Sequence, residues 1–189
     1  FLDDTANKPR EIDLIAERLI PIKEFTGKIV DSLRVRLVIE CKNLPGDVAA
    51  RMYPNHDPER AWLYERIDHN ELKLSWSDVH HYCATDTVAL TFDNPKKGNT
   101  DYIFDAYMSP LKTVIYIRER DNDRRALYYP IVVYKHGSVF AVRDDNKDDL
   151  ENILPQTDTL VGVNYAYRSI VDDKLQRQYF LVDLVDRAY

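Results

Sequence analysis

Residues 33–43 read LRVRLVIECKN and hold the pattern that decides the fold. Apolar and charged residues alternate at first, and the run is then continuously apolar from Leu37 to Ile39. A strand shows this change when it passes from a sheet edge into a buried sheet centre. The segment therefore predicts a central strand that ends in an acid, Glu40.

A second carboxylate lies in apolar surroundings near the start of the chain. Asp13 has apolar neighbours on both sides within residues 10–16, which predict a strand. Residues 1–3 predict a short strand before it, and the turn-forming residues 4–9 pair the two as a hairpin. We expect Asp13 and Glu40 to lie on neighbouring strands.

A carboxylate inside an apolar strand needs a partner, because an isolated buried charge costs too much free energy. Lys42 follows Glu40 by two positions and therefore projects from the same side of an extended chain, while Cys41 points to the other side. Two carboxylates on paired strands can provide protein ligands for a hard divalent cation such as Mg²⁺. The Lys42 ammonium can then orient an attacking water or offset charge on a phosphate.

Residues 11–16, EIDLIA, together with residues 38–43, VIECKN, resemble the PD-(D/E)XK, or restriction-endonuclease-like, nuclease superfamily, in which an Asp lies opposite a Glu-x-Lys on adjacent strands. The resemblance implies an α/β fold with a mixed central β-sheet flanked by helices. It also implies Mg²⁺- or Mn²⁺-dependent hydrolysis of phosphodiester bonds in nucleic acid, with DNA as the substrate by family analogy. The matching positions are Asp13, Glu40 and Lys42 for catalysis, and Asp13, Glu40 and the backbone carbonyl of Cys41 for the metal.

The resemblance is close over residues 1–43 and extends further only through the order of elements. Many members of the family carry an acidic residue on a helix before the first strand, whereas this sequence opens on Phe and at once on a strand-like segment. The expected core therefore lacks its first helix, which an upstream segment or a partner chain would supply. The long separation between Asp13 and Glu40 predicts an elaborated connection. Glu11 and Glu17 alternate onto the side of Asp13 and are alternative ligands.

The whole chain predicts one nuclease-like domain, residues 1–189, with an insertion at residues 45–99, where the composition shifts toward Pro, His, Asp and Trp. Helical spacing predicts a helix near residues 103–115, which Pro110 either kinks or restarts. In a restart, Ser109 caps the second half and Pro110 lies in its first turn. Other predicted helices are residues 47–52, 58–67 and 148–154, and other predicted strands are residues 129–134 and 138–142, which form a hairpin, 160–167 and 178–185.

The formal net charge of −6 argues against binding nucleic acid through overall charge, because phosphate contacts depend on local positive charge. Basic residues do gather in two parts of the chain and predict a local nucleic-acid-binding face. They are Lys96, Lys97, Arg118, Arg120, Arg124 and Arg125. A solvated charged surface explains them equally well.

No apolar run approaches the roughly 20 residues that a membrane span needs, and the start lacks the layout of a signal peptide. Cys41 and Cys83 make neither a disulfide framework nor a CxxC zinc pair, so a cytoplasmic setting is expected. His80 and His81 beside Cys83 lack the spacing of a tetrahedral zinc site, and a Cys–His hydrolase at Cys83 lacks a third group. The alternative to an active nuclease is a nuclease-like module that binds or assembles within a larger protein without cutting.

Overall fold

The computed structural model describes residues 2–3, 8–9, 11–56, 80–93, 101–121, 126–143, 155–156, 158–169 and 171–187. Most of these residues belong to one large mixed β-sheet, and a long helix packs against one face of it. The predicted α/β class with a mixed sheet is therefore confirmed.

The described strands are β1 (Leu2–Asp3), β2 (Lys8–Pro9), β3 (Leu14–Lys23), β4 (Ile29–Asn43), β5 (Val48–Pro54), β6 (Thr87–Asp93), β7 (Ala126–Lys135), β8 (Val139–Arg143), β9 (Pro155–Gln156), β10 (Asp158–Arg168) and β11 (Leu175–Asp186), and the helices are α1 (His81–Ala84) and α2 (Asp101–Arg120). Nine strands form one sheet in the order β3-β4-β7-β11-β10-β6-β5-β8-β9, while β1 pairs with β2. The pairs β4–β7, β7–β11, β6–β10 and β5–β8 are parallel, and the other pairs are antiparallel.

The main core lies between α2 and the middle of the sheet. Ile103 and Leu111 of α2 are fully buried and belong to one cluster with Val132 of β7 and Val182 of β11. Alternate strand residues point away from α2, because successive side chains of a strand face opposite sides of the sheet. A smaller cluster on that opposite face contains Val88, Leu160 and Leu181.

The first two strands of the sheet, β3 and β4, form a long antiparallel hairpin in which Leu14 lies opposite Ile39. A tight turn at residues 24–28 joins them, with a 2.9 Å hydrogen bond from the Gly27 amide to the Glu24 carbonyl. The strands are ten and fifteen residues long, so strand length alone separates the two acids in sequence. The predicted elaborated connection is therefore wrong.

Strand pairing corrects three further predictions. The hairpin partner of β1 is β2, at residues 8–9 of the predicted turn, and β3 pairs with β4 instead. The predicted helix at residues 47–52 is strand β5. Buried and exposed residues do not alternate clearly along β5, but it pairs with both β6 and β8. β7 and β8 do not form the predicted hairpin, because both edges of β7 are already paired with β4 and β11.

The helix α2 is continuous across Pro110, so the predicted second start at Ser109 is wrong. Proline lacks the amide that would bond one turn back, and this loss normally weakens a helix interior. Here residues 106–111 are all buried, and packing against the sheet holds the helix together through the proline.

Two of the strands, β5 and β6, lie inside the predicted insertion at residues 45–99 and belong to the main sheet. The predicted strands at residues 160–167 and 178–185 are confirmed as β10 and β11. The predicted helices at residues 58–67 and 148–154 lie outside the described residues.

Over the described ranges, no helix combines the length and the apolar character that crossing a bilayer requires. Cys41 and Cys83 are not in a disulfide.

A close approach between two loops makes Gly137 sensitive to substitution. A Cβ atom at Gly137 would collide with the Gly46 carbonyl oxygen and lie 2.7 Å from the Leu44 Cβ atom. Both obstacles are rigid, so we expect Gly137→Ala to lower the free energy of unfolding by about 2 kcal/mol. Gly46→Ala is the matched control, because its added Cβ would meet nothing within 4 Å. Urea denaturation that gave both variants the same stability would contradict this packing.

Candidate functional site

Glu40 lies toward the carboxyl end of β4, on the sheet face that α2 covers, and its side chain is only 8% exposed. Both of its carboxylate oxygens have partners. The Lys42 ammonium forms an ion pair with Oε1, and the Ser109 hydroxyl of α2 donates a 3.2 Å hydrogen bond to Oε2. These contacts compensate the charge that the apolar strand buries.

Lys42 projects from the same face of β4 as Glu40, as the alternation of a strand predicts. Its side chain is 40% exposed, so the ion pair lies where the core meets solvent. The predicted proximity of this acid and this cation is confirmed.

Asp13 immediately precedes β3 and occupies the register position next to the Leu14–Ile39 pair, which places it beside Glu40. Its Oδ2 atom accepts a 2.6 Å hydrogen bond from the Cys41 amide. The amide and carbonyl of one strand residue point toward the same strand edge, so the Cys41 carbonyl faces the edge on which Asp13 lies. The predicted placement of Asp13 next to Glu40 is confirmed. The predicted strand at residues 10–16 begins only at Leu14, however, and Asp13 is exposed, so its predicted position inside an apolar strand is wrong.

The donor atoms at this end of the β3–β4 hairpin are oxygens, from two carboxylates and one carbonyl. Such donors suit Mg²⁺, which keeps several waters and commonly takes one or two carboxylates from a protein. Within the described ranges, no group of three or more His, Cys, Asp or Glu side chains is arranged to hold a metal ion. A cation here would therefore depend on Asp13, Glu40, the Cys41 carbonyl and oxygens from water or a phosphate.

The alternative ligand Glu17 is occupied by two arginines of β4. The Arg36 Nε atom donates to Glu17 at 2.6 Å, and Arg34 Nε lies 3.3 Å from the same carboxylate. Arg36 also contacts Asp121, and the hydrogen bonds that its guanidinium donates to Glu17 and Asp121 raise the pKa of that guanidinium above the usual value. Glu17 therefore stabilises the hairpin, while Glu11 is exposed.

The predicted basic face is described only at Arg118 and Arg120, since Lys96, Lys97, Arg124 and Arg125 lie outside the described residues. Arg118 donates to the Tyr167 hydroxyl at 2.6 Å and to Gln178 Oε1 at 2.9 Å, which ties α2 to β10 and β11. Arg120 lies over the Tyr116 ring, 4.2 Å from its centroid. At 1.5 Å per residue, Arg118 is about 14 Å along the helix from Ser109. These two arginines are therefore separate from the Glu40 site.

A second paired acid, which sequence reasoning missed, lies on the opposite face of the sheet. Asp183 of β11 has a side chain that is 15% exposed, and its Oδ1 atom is 2.9 Å from His81 Nε2. His80 stacks on Tyr129 with ring centroids 5.0 Å apart, and burial lowers the pKa of its imidazole. These contacts hold the short helix α1, together with His80 just before it, against the sheet. The missed signal was an acid inside an apolar strand, the same signal that identified Glu40.

The three predicted site residues thus lie together at one end of the β3–β4 hairpin. Glu40 pairs with Lys42 and Ser109, and Asp13 bonds to the backbone of the same strand. Comparison of the chain with protein-family models, with curated proteins and with solved structures finds no match.

Proposed function

We propose that the protein is a metal-dependent nuclease with a restriction-endonuclease-like core that hydrolyses phosphodiester bonds, in DNA by the family resemblance. The observation that carries the proposal is Glu40, a carboxylate 8% exposed within an apolar sheet. Lys42 contacts it and Asp13 lies beside it. Proteins tend to retain local departures from good packing chemistry, such as a charge in an apolar layer, at functional sites.

Each residue has a distinct role in this proposal. Asp13, Glu40 and the Cys41 carbonyl would hold Mg²⁺ or Mn²⁺, which would supply a Lewis acid to activate water and offset phosphate charge. The Lys42 ammonium stabilises the negative charge that develops on the phosphoryl oxygens during attack. The alternation of β4 places Lys42 on the same face as Glu40, and the Cys41 amide keeps the Asp13 carboxylate at the strand edge.

The remaining parts of the proposal come from the distribution of charged residues and cysteines in the sequence. Lys96, Lys97, Arg124 and Arg125 contact phosphates outside the cleavage site, because a chain with net charge −6 needs a local positive surface to hold nucleic acid. The protein acts in the cytoplasm.

A non-catalytic nuclease-like module is the second candidate, and one observation favours it. Every carboxylate of the site already has an intramolecular partner: Lys42 and Ser109 for Glu40, and the Cys41 amide for Asp13. A satisfied polar network of this kind can serve a fold without any ligand. In this case the chain binds or assembles within a larger protein.

Nicking of supercoiled plasmid DNA distinguishes the two candidates. For the nuclease we expect conversion to open circles in millimolar Mg²⁺ or Mn²⁺ and none in EDTA. Asp13→Asn, purified in the same way, is the matched control against a contaminating nuclease and should leave the plasmid intact. Plasmid, single-stranded DNA and RNA that all stay intact in both metals would contradict the nuclease and support the module.

A further inference from the structure

We infer that Lys42 competes with a divalent cation for Glu40, so that this lysine limits the cation affinity of the site, while Ser109 determines which oxygen the cation can reach. The inference rests on the proposed function, because it concerns the proposed metal site. It assigns Lys42 a role in metal binding and identifies Ser109 as a positioning residue.

The two oxygens of Glu40 face different surroundings. Ser109 is buried in α2 and donates to Oε2, and Thr113 donates a 3.0 Å hydrogen bond to the Ser109 carbonyl one turn along the helix. The Oε2 atom is therefore directed into the protein. The Oε1 atom is in contact with Lys42, whose side chain is partly exposed. A cation that arrives from solvent thus meets Oε1 first.

An ammonium and a divalent cation cannot both take the same lone pairs of Oε1 at full strength. Their like charges also repel at this range, because the effective dielectric constant near a protein surface is well below that of water. Lys42 has a flexible four-carbon stem and a single charged nitrogen, so it can swing into solvent when a cation binds. The exchange replaces one ion pair with another and keeps Glu40 compensated throughout.

Removing the charge of Lys42 separates this competition from a purely structural role. If Lys42 only held Glu40 in place, its loss would loosen the carboxylate and weaken cation binding. If Lys42 competes, its loss must strengthen cation binding, although nicking would be lost with the ammonium. A gain of affinity is a result that simple destabilisation does not produce.

The test measures Mn²⁺ binding directly, without nucleic acid, from the electron paramagnetic resonance signal of free Mn²⁺. We expect Lys42→Met, which keeps the stem and removes the charge, to lower the dissociation constant about tenfold, as loss of one nearby like charge predicts. Lys42→Gln should act in the same direction. Ser109→Ala should raise the dissociation constant several-fold, because Glu40 can then rotate. Thr113→Val is the matched control, since Thr113 is a buried hydroxyl residue of the same helix that donates to Ser109 instead of Glu40.

Lys42→Met and Lys42→Gln that bind Mn²⁺ no more tightly than the unmodified chain would overturn the competition. A Ser109→Ala variant with unchanged affinity would overturn the positioning role. The proposed function fails separately: a chain that binds Mn²⁺ with these dependences but never nicks nucleic acid refutes the nuclease and keeps the inference. Absence of Mn²⁺ binding in every variant, Lys42→Met included, refutes the inference.

Discussion

Glu40→Gln is expected to slow metal-dependent nicking by about 100-fold or more, the size of effect seen when one charge-stabilising group leaves an active site. The neutral amide has nearly the same shape as the carboxylate but is a far poorer ligand for a hard cation. Its carbonyl oxygen can still accept the Ser109 hydrogen bond, and Lys42 can turn to solvent because its side chain is 40% exposed. The fold should therefore survive while activity is lost.

Single-turnover nicking rates, with circular dichroism of the same samples, measure this effect. Glu17→Gln is the matched control, because Glu17 lies on the adjacent strand and its carboxylate is bound by Arg34 and Arg36. That variant should keep the nicking rate. A Glu40→Gln protein as fast as the unmodified chain would exclude Glu40 from the chemistry, and a slow Glu17→Gln protein would point to Glu17 as a ligand.

Leu111→Ala is expected to lower the free energy of unfolding by about 3 kcal/mol, as other leucine truncations in well-packed cores do. Leu111 is fully buried where α2 packs on the sheet, directly after Pro110. The truncation loses apolar burial and leaves a cavity at the point where the helix already lacks one backbone hydrogen bond.

Urea denaturation of Leu111→Ala and Phe104→Ala gives the comparison for this prediction. Phe104 lies on the same helix, is 53% exposed and makes an edge-on contact with Tyr107. Its truncation should cost about 1 kcal/mol or less, since exposed positions contribute little. Equal losses for the two variants would mean that α2 does not bury the face described above.

The sheet centre could be predicted from sequence because continuous apolar runs mark strands with neighbours on both sides. That pattern identified β4 and β11. The order of strands could not be predicted in the same way. β7 and β8 are adjacent in sequence and were predicted to pair, but β7 is paired on both edges by strands from distant parts of the chain. Local turn chemistry carries no information about those distant partners.

In the candidate site too, contacts within one strand could be predicted from sequence, whereas contacts between distant parts of the chain could not. The alternation of β4 was enough to place Lys42 beside Glu40, because the two residues are local to one strand. Ser109 was interpreted as a helix cap, and its hydrogen bond to Glu40 joins residues 69 positions apart. Asp183 carried the same signal as Glu40, and only the fold reveals His81, 102 positions away, as its partner. Contacts of this range depend on tertiary packing, which short sequence patterns do not specify.

The outermost strand of the sheet has a consequence for self-association. β3 is at one end of the strand order, and Leu19, Ile20 and Ile22 on it are each more than 40% exposed. An outer strand of ten residues with several exposed aliphatic side chains would ordinarily act as a template for stacking further chains into fibrils. Pro21 interrupts the outer strand, because it has no amide hydrogen to donate. One imino acid thus acts as a gatekeeper against fibrillar growth from this end of the sheet.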